Sequence, residues 1–235
     1  VYIGCTPVID CKYRFAIKLA TVDKNTIKTP YNKANRYWHE YFILHDIVKP
    51  IIDKKICPNL PYLINTFSCE ECNFTFFGYN KARLNEKDLA KGPREYKAKK
   101  PCLIFIMELA TGNDFNTWMQ KPHTEAELYN ALFQLMAGIH ALQIHGQVIN
   151  NDVKALNILT YDVKPGGYWK YIIQGKEYFI PNLGSLFIVN DFGVSSVTSP
   201  DFCLKSKASS TSIGIGPRIL ILDGKYSILE AKDKQ

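Results

Sequence analysis

Two short segments in the second half of the chain limit its fold and chemistry more than any other feature. The segment Val148–Leu159 places an acid, a cation and an amide, namely Asp152, Lys154 and Asn157, between apolar residues. Further on, a strand-like apolar run ends in Asp191-Phe192-Gly193, where the glycine permits a sharp turn. A carboxylate among buried residues is costly unless it meets a cation or a metal ion. Both segments therefore predict a chemical site and not only a packed core.

These side chains suit the transfer of a phosphoryl group from a polyphosphate. Asp191 and Asn157 can hold a divalent metal ion on the polyphosphate, because carboxylate and amide oxygens are suitable ligands for Mg²⁺. Asp152 can orient or deprotonate a hydroxyl group, and Lys154 can neutralise the phosphoryl group as it moves. We therefore predict Asp152 and Lys154 as catalytic residues and Asn157 and Asp191 as metal ligands.

Together the two segments resemble the motifs of the eukaryotic-type protein kinases. Residues 150–157, Asn-Asn-Asp-Val-Lys-Ala-Leu-Asn, are similar to the catalytic loop His-Arg-Asp-Leu-Lys-x-x-Asn, and residues 191–193 match the metal-binding Asp-Phe-Gly. A lysine two residues after the aspartate resembles the serine/threonine-specific members. The resemblance implies ATP and Mg²⁺ as cofactors and a protein hydroxyl group as the acceptor.

A narrower resemblance is to the kinases of large cytoplasmic DNA viruses. Between the two motifs this chain has an additional predicted hairpin, 168–181, which turns at Gln174-Gly175. A Pro-Asn-x-Gly turn follows at 181–184 and precedes the Asn-Asp-Phe-Gly run. Both features resemble those viral kinases, which implies a protein of the host cytoplasm or the virion.

One strand and one helix in the first half supply residues that the resemblance assigns to the nucleotide. In Phe15–Ala20 apolar residues alternate, so Lys18 lies between two alanines on one face. This run resembles the family's Val-Ala-Ile-Lys strand, which implies that Lys18 binds the phosphates and Ala16 lies against the adenine. A helix is predicted over Asn35–Val48, and Glu40 on its packed side is assigned to pair with Lys18. The structural alternatives are an edge-strand lysine with a snorkelling stem and an exposed glutamate.

The resemblance also implies contacts around the base and the ribose. The apolar run 103–107 is predicted to be a buried strand that leads into a hinge at 108–113. The remaining implied cofactor-binding residues are Val1 over the adenine, Met107 behind it, the backbone of Glu108 and Ala110 at its edge, Asp114 at the ribose, and Leu159. The family's glycine-rich loop is not found in the sequence, and we expect a chain that opens on Val-Tyr-Ile-Gly to be a fragment that follows such a loop.

The predicted fold is α+β with two lobes. We expect a mainly antiparallel sheet with one helix over 1–107 and a mainly helical lobe over 114–235. Further predicted elements are strands at 60–67 and 74–79, a helix end at Pro50, and a polar inserted loop at 80–100. A capping box, Thr124-Glu-Ala-Glu127, predicts a core helix whose buried stripe would be Leu128, Leu132, Leu135, Ile139 and Leu142.

Composition and the lengths of the apolar runs indicate a globular domain and argue against a membrane-spanning helix. The chain has 235 residues, 46% of them hydrophobic, and a formal net charge of +7. This composition is that of a globular domain, and no apolar run approaches the ~20 residues that span a bilayer. The densest basic run, 91–100, is predicted to be a solvated loop, with nucleic-acid binding as the alternative.

The seven cysteines are scattered and odd in number, which predicts free thiols and a reducing compartment rather than a disulfide framework. Cys69-Glu-Glu-Cys72 lacks a second ligand pair, although Cys57 is a candidate third ligand. We therefore predict no structural zinc at this pair.

Three other functions remain open at this level. The first is a pseudokinase that binds nucleotide or a partner without turnover. A small-molecule kinase shares the spacing from aspartate to asparagine, and a nucleic-acid-binding module would account for the charge alone.

The sequence also constrains regulation, because Asn151 occupies the place of the arginine that binds an activation-loop phosphate in many kinases. We predict that packing and amide hydrogen bonds hold the catalytic loop instead.

Overall fold

The computed structural model describes residues 2–5, 14–76, 78–79, 94–198 and 228–229, and its architecture is α+β. The largest sheet has five strands in the order β3-β7-β2-β1-β5, and the pairs assigned within it are antiparallel. Its strands are β1 (Tyr2–Cys5), β2 (Arg14–Thr21), β3 (Leu63–Cys69), β5 (Gly78–Tyr79) and β7 (Cys102–Glu108). The predicted antiparallel sheet of the first half is confirmed.

The central strands β2 and β7 place the first site residues. Their register sets Ala16 opposite Met107 and Lys18 opposite Phe105. Ala16, Met107 and Phe105 are buried, whereas Lys18 is half-buried. The small alanine side chains leave room on this face, so the longer Lys18 side chain extends past packed neighbours toward the second half of the chain.

The helical region between β2 and β3 is longer than predicted. It consists of α1 (Lys24–Lys28), α2 (Arg36–Phe42), a π-helical segment (Ile43–Val48) and α3 (Lys49–Asp53). Asn35 caps α2, since its side chain accepts a hydrogen bond from the Tyr37 N–H.

The prediction that Pro50 ends the helical region is wrong. The π-helical segment changes the hydrogen-bond register, and α3 then begins at Lys49. Pro50 therefore lies in the first turn of a new helix, where its missing N–H costs least.

Two predictions about strands in the first half need correction. The strand predicted at 60–67 is shifted to Leu63–Cys69, because Pro61 cannot donate to the ladder at its start. The polar loop predicted over 80–100 contains a strand, β6 (Arg94–Ala98), which pairs with β4 (Cys72–Phe76). Little in the run 94–98 favours a strand locally, so the partner strand decides its conformation. Residues 80–93, which include part of the basic run, lie outside the described part of the chain.

The prediction of free thiols is wrong for two cysteines. Cys72 and Cys102 form a disulfide and are both fully buried. The β3–β7 register sets Cys69 opposite Cys102, and the tight turn after β3 brings Cys72 back to the same place. The partners are 30 residues apart in sequence, so no local pattern indicated the bond. Among the described cysteines, Cys57 and Cys69 are free.

The second half contains α4 (Phe115–Met119), α5 (Glu125–Gly146) and several short strands. The strands are β8 (Val148–Ile149), β9 (Ile158–Asp162), β10 (Tyr168–Ile173), β11 (Lys176–Pro181), β12 (Ser185–Val189), β13 (Ser196–Val197) and β14 (Ile228–Leu229). The predicted hairpin is confirmed as β10–β11, whose turn residues Gln174 and Gly175 both have positive φ. Between 114 and 198 there is about as much strand as helix, so a mainly helical second lobe is not confirmed.

Helix α5 has the predicted capping box at Thr124 but not the full predicted buried stripe. Leu128 and Leu132 are 40% and 55% exposed, whereas Leu135 and Leu142 are buried. The helix packs instead through small and amide side chains, which are Asn130, Ala131, Gln134, Ala137, Gly138 and Ala141. A leucine stripe predicts burial only where the neighbour leaves room. At Gly138 the helix lies so close to the backbone of Asn59 that an added Cβ would be 3.0 Å from the Asn59 carbonyl oxygen.

One continuous hydrophobic cluster joins the two halves. It contains Leu44, Phe105, Leu135, Phe187 and Phe192, together with other buried residues on both sides of the predicted hinge. None of the helices in the described ranges is both long and apolar enough to cross a membrane.

Candidate active site

A cavity of about 330 Å³ lies between the large sheet and the second half of the chain. Its size is within the range of small-molecule sites. Nine residues predicted from the sequence line it, namely Ala16, Lys18, Met107, Glu108, Ala110, Asp114, Asn157, Leu159 and Asp191. These residues come from β2, β7, the segment after β7, the 3₁₀ turn Ala155–Asn157, β9 and the turn after β12. The fold thus brings together positions up to 175 residues apart in number.

Lys18 lies between two carboxylates at this cavity. Its Nζ is 2.5 Å from Glu40 Oε1 and 3.2 Å from Asp191 Oδ1. Glu40 is buried on α2, and its side chain is 5% exposed. Burial would by itself lower the pKa of Lys18, but Glu40 and Asp191 outweigh that effect and raise the pKa above its ordinary value. Lys18 is therefore a firmly charged ammonium group at the cavity wall.

Asp191 occupies an unusual backbone conformation. Its φ of +66° lies in the left-handed region, which costs a residue with a Cβ roughly 1–2 kcal/mol. Asn150 Nδ2 donates to the carbonyl oxygens of Asn190 (3.4 Å) and Asp191 (3.2 Å), and Phe192 is fully buried. These contacts hold the turn, so that the Asp191 carboxylate faces Lys18 and the cavity.

Asp152 is held by two neighbours in the segment 152–157. Lys154 Nζ donates to both of its carboxylate oxygens, at 3.0 and 2.7 Å, and Asn157 Nδ2 donates to Asp152 Oδ2 at 2.7 Å. The hydrogen bond from Lys154 lowers the pKa of Asp152, and the bond from Asn157 adds to the effect. Asp152 is therefore an ionised carboxylate at neutral pH. It lies beside the cavity, since its partner Asn157 lines it.

Asn157 and Asp191 form a donor set that fits a hard cation. Asn157 Nδ2 donates to Asp152, so the side-chain oxygen of Asn157 can face a cation. Asp191 supplies a carboxylate to the same cavity. Within the described ranges there is no group of three or more His, Cys, Asp or Glu residues that could hold a metal ion. A site with one carboxylate and one amide suits Mg²⁺, which is commonly completed by phosphate and water oxygens.

Asp114 also lines the cavity, but it has a structural task. Its carboxylate accepts hydrogen bonds from the Thr117 N–H (2.8 Å) and the Thr117 hydroxyl (3.1 Å), and so caps α4. Both bonds use Oδ1. The second carboxylate oxygen is compatible with the predicted ribose contact.

The segment after Asp191 is held by side chains from two other elements. His39 Nε2 of α2 is 2.8 Å from the Ser195 carbonyl oxygen. Asn151 Nδ2 donates to the carbonyl oxygen of Val194 (3.0 Å) and to the Ser196 hydroxyl (2.8 Å). The amide at position 151 thus contacts this segment directly, which agrees with the prediction that amide hydrogen bonds hold the loop around it. The role of His39 was not predicted, because nothing in the sequence of α2 indicates its partner.

The structure separates the predicted site residues into three groups. Nine of them line the cavity, whereas Glu40 contacts Lys18 and is not itself among the lining residues. Asp152 and Lys154 lie at its edge, in contact with Asn157, and Val1 is outside the described residues. Sequence reasoning missed six lining residues, which are Ile3, Pro61, Leu109, Leu156, Tyr161 and Asn190. Asn190, Leu156 and Leu109 were within reach, since each adjoins a predicted site residue in sequence and Leu109 lies in the predicted hinge.

Comparison with known proteins gives distant viral relatives, whereas no protein-family model matches the chain. The chain is 26% identical over 202 residues to "Probable serine/threonine-protein kinase 380R" of Invertebrate iridescent virus 6, covering 85% of this chain and 35% of the relative. It is 29% identical over 202 residues to "Putative serine/threonine-protein kinase 019R" of Frog virus 3 (isolate Goorha), covering 81% and 21%.

A third relative, "Uncharacterized protein R403" of Acanthamoeba polyphaga mimivirus, is 24% identical over 214 residues, covering 65% of this chain and 28% of the relative. The chain spans about a third or less of the length of these curated relatives. It is thus similar to viral proteins that are named as serine/threonine kinases.

The buried contact of His39 predicts a loss of stability in mild acid. Burial lowers the pKa of His39, and the hydrogen bond with Ser195 offsets this only in part. The folded chain therefore resists protonation, and its stability falls as pH drops through the ordinary histidine pKa of about 6.5. We expect His39→Gln, which retains an N–H donor, to reduce the fall in unfolding free energy between pH 7.5 and 5.5 by up to about 1 kcal/mol.

Urea unfolding at a series of pH values measures this effect. His45→Gln is the matched control, because His45 is an exposed histidine in the same helical region. An equal pH dependence in wild type and His39→Gln would contradict the expectation.

Proposed function

We propose that the chain carries the ATP-binding and catalytic residues of a protein kinase that phosphorylates serine or threonine hydroxyl groups. The observation that supports this most is the position of Lys18, between Glu40 and Asp191 at the wall of the cavity. A charged lysine held by a buried glutamate is suited to bind phosphates. The similarity to viral proteins named as serine/threonine kinases gives independent support.

In this proposal the cavity receives the nucleotide. Ala16, Met107 and Leu159 offer apolar surface to the base, and the backbone of Glu108 and Ala110 lies at its edge. Asp114 lies near the ribose. We further propose that residues 1–107 form the nucleotide-covering lobe, 108–113 the hinge and 114–235 the lobe that receives the protein substrate.

The charged residues would divide the chemistry between them. Lys18 binds phosphate oxygens, and Glu40 keeps its ammonium group turned toward them. Mg²⁺ held by Asn157 and Asp191 would offset negative charge on the phosphates. Asp152 accepts a hydrogen bond from the substrate hydroxyl group and orients it. Lys154, which pairs with Asp152 in this structure, would turn toward the phosphoryl group and stabilise its charge in transfer. Catalysis in this scheme is positioning and charge neutralisation.

A pseudokinase is the second candidate, and one observation favours it. Both oxygens of Asp152 accept hydrogen bonds from Lys154, and one also accepts from Asn157. A substrate hydroxyl group thus meets a carboxylate that already accepts three hydrogen bonds, and Lys154 must turn away from Asp152 to reach a phosphate. A chain that never breaks this pair would bind nucleotide without turnover.

The first prediction from the proposed function concerns Asp152. Asp152→Asn removes the carboxylate that orients the hydroxyl group but preserves the size of the side chain. We expect phosphoryl transfer from labelled ATP to a basic protein to fall by at least about 100-fold, within the range for a positioned acid or base. ATP affinity should stay within a few-fold of wild type, because Asp152 lies at the edge of the cavity.

Asp162→Asn is a matched control, since Asp162 is an exposed aspartate at the end of β9. Turnover near the wild-type rate in Asp152→Asn would contradict the assignment. ATP binding without transfer in the wild-type protein would support the pseudokinase.

The second prediction concerns regulation. The amide of Asn151 contacts Val194 and Ser196 directly and carries no charge. It cannot bind a dianionic phosphate as an arginine fork would. We therefore expect phosphatase treatment to change kcat by less than about tenfold, or ~1.4 kcal/mol in barrier. Loss of activity on dephosphorylation, reproduced by one serine or threonine to alanine variant between Ser195 and Ser212, would contradict this.

A further inference from the structure

A buried polar chain links three separate parts of the fold. The Tyr171 hydroxyl group donates to Asn59 Oδ1 (2.9 Å), Asn59 Nδ2 donates to Gln134 Oε1 (3.0 Å), and Gln134 Nε2 donates to Asn130 Oδ1 (2.6 Å). Tyr171, Asn59 and Gln134 are each 0% exposed. They belong to the hairpin β10–β11, the segment between α3 and β3, and helix α5. Buried polar groups in such a chain fix one arrangement when all of them are satisfied.

The same amides complete the free edge of β12. One edge of β12 pairs with β9. At the other edge, the Phe187 N–H donates to Gln134 Oε1 (2.9 Å), and its carbonyl oxygen accepts from Asn59 Nδ2 (2.9 Å). The Ser185 carbonyl oxygen accepts from Gln134 Nε2 (3.1 Å), and the Val189 N–H donates to the Asn59 carbonyl oxygen (3.0 Å). Two residues thus satisfy backbone groups that a third strand would otherwise pair.

The orientation of the Asn59 and Gln134 amide groups follows from backbone partners that can only donate or only accept a hydrogen bond. A backbone carbonyl can only accept and a backbone N–H can only donate, so Asn59 presents Nδ2 and Gln134 presents Oε1 to Phe187. Asn59 Oδ1 then requires a donor, which the Tyr171 hydroxyl group supplies. The Cys57 thiol, at 3.6 Å, is a weaker donor to the same oxygen.

Strand β12 ends at Val189, two residues before Asp191. We propose that Tyr171, on the hairpin β10–β11, is a positioning residue that fixes the strand β12, from which the chain leads to Asp191 at the cavity. Its importance for catalysis rests on the proposed function of Asp191, whereas its coupling to β12 does not. Without the hydroxyl group, Asn59 Oδ1 is left as a buried acceptor with only a weak partner, and the edge of β12 loosens.

Tyr171→Phe tests this directly, because it removes one oxygen atom and keeps the buried ring. Amide hydrogen exchange at Phe187 and Val189 should become about tenfold faster or more, since these amides donate into the network. In addition, the Mg²⁺ concentration for half-maximal activity should rise several-fold with little change in ATP affinity measured without metal. Tyr178→Phe is the matched control on the same hairpin, where the side chain is 37% exposed, and exchange should stay within twofold of wild type.

Two results would overturn the proposal. One is wild-type exchange at Phe187 and Val189 in Tyr171→Phe. The other is equally faster exchange throughout the chain, which indicates a loss of global stability only. Asn130→Ala breaks the far end of the network and provides the same readout if Tyr171→Phe does not fold. Exchange requires no phosphoryl transfer, so a wild-type protein without kinase activity would refute the proposed function and leave the role of Tyr171 to be decided by exchange.

Discussion

The candidate site depends on one ionic contact, the Lys18 ammonium group between Glu40 and Asp191. Removing one partner of a buried ion pair typically costs about 3–5 kcal/mol, because the other charge is left without compensation. Glu40 is 4% exposed, so this penalty applies to its carboxylate. The three residues come from the large sheet, from α2 and from the turn after β12. Their contact therefore fixes the relative positions of the elements that surround the cavity.

Around this contact the chain uses neutral groups to hold its loops. Asn150 fixes the backbone of the Asp191 turn, Asn151 binds the segment after it, and His39 ties that segment to α2. Neutral amides satisfy backbone groups without adding charge next to Asp152 and Asp191. Lys18 can then pair with Asp191, and Lys154 with Asp152. This division explains how the segment 150–157 is held although Asn151 stands where the kinases that it resembles have an arginine.

The sequence predicted which residues meet at the cavity better than the elements that carry them. Motif spacing pointed to Lys18, Asn157 and Asp191, which all line the cavity. Local signals located the capping box at Thr124 and the turn at Gln174. The errors at Pro50, Leu132, Cys72 and strand 94–98 share one cause. A π-helical register change, the packing of α5, a disulfide over 30 residues and a distant partner strand are decided by tertiary contacts. The polar network at Asn59 was missed for the same reason.

The most direct test of the account is the affinity of the chain for a non-hydrolysable ATP analogue with Mg²⁺, measured by calorimetry. The informative variant combines Lys18→Met with Glu40→Gln, so that no buried carboxylate is left unpaired. The account predicts saturable binding by the wild-type chain and a loss of about 10- to 100-fold in the variant, as expected for one charge-assisted phosphate contact. Lys49→Met, which removes a lysine paired with Asp53, should bind like wild type. Absence of saturable binding in the wild-type chain, or equal affinity in the double variant, would contradict the account.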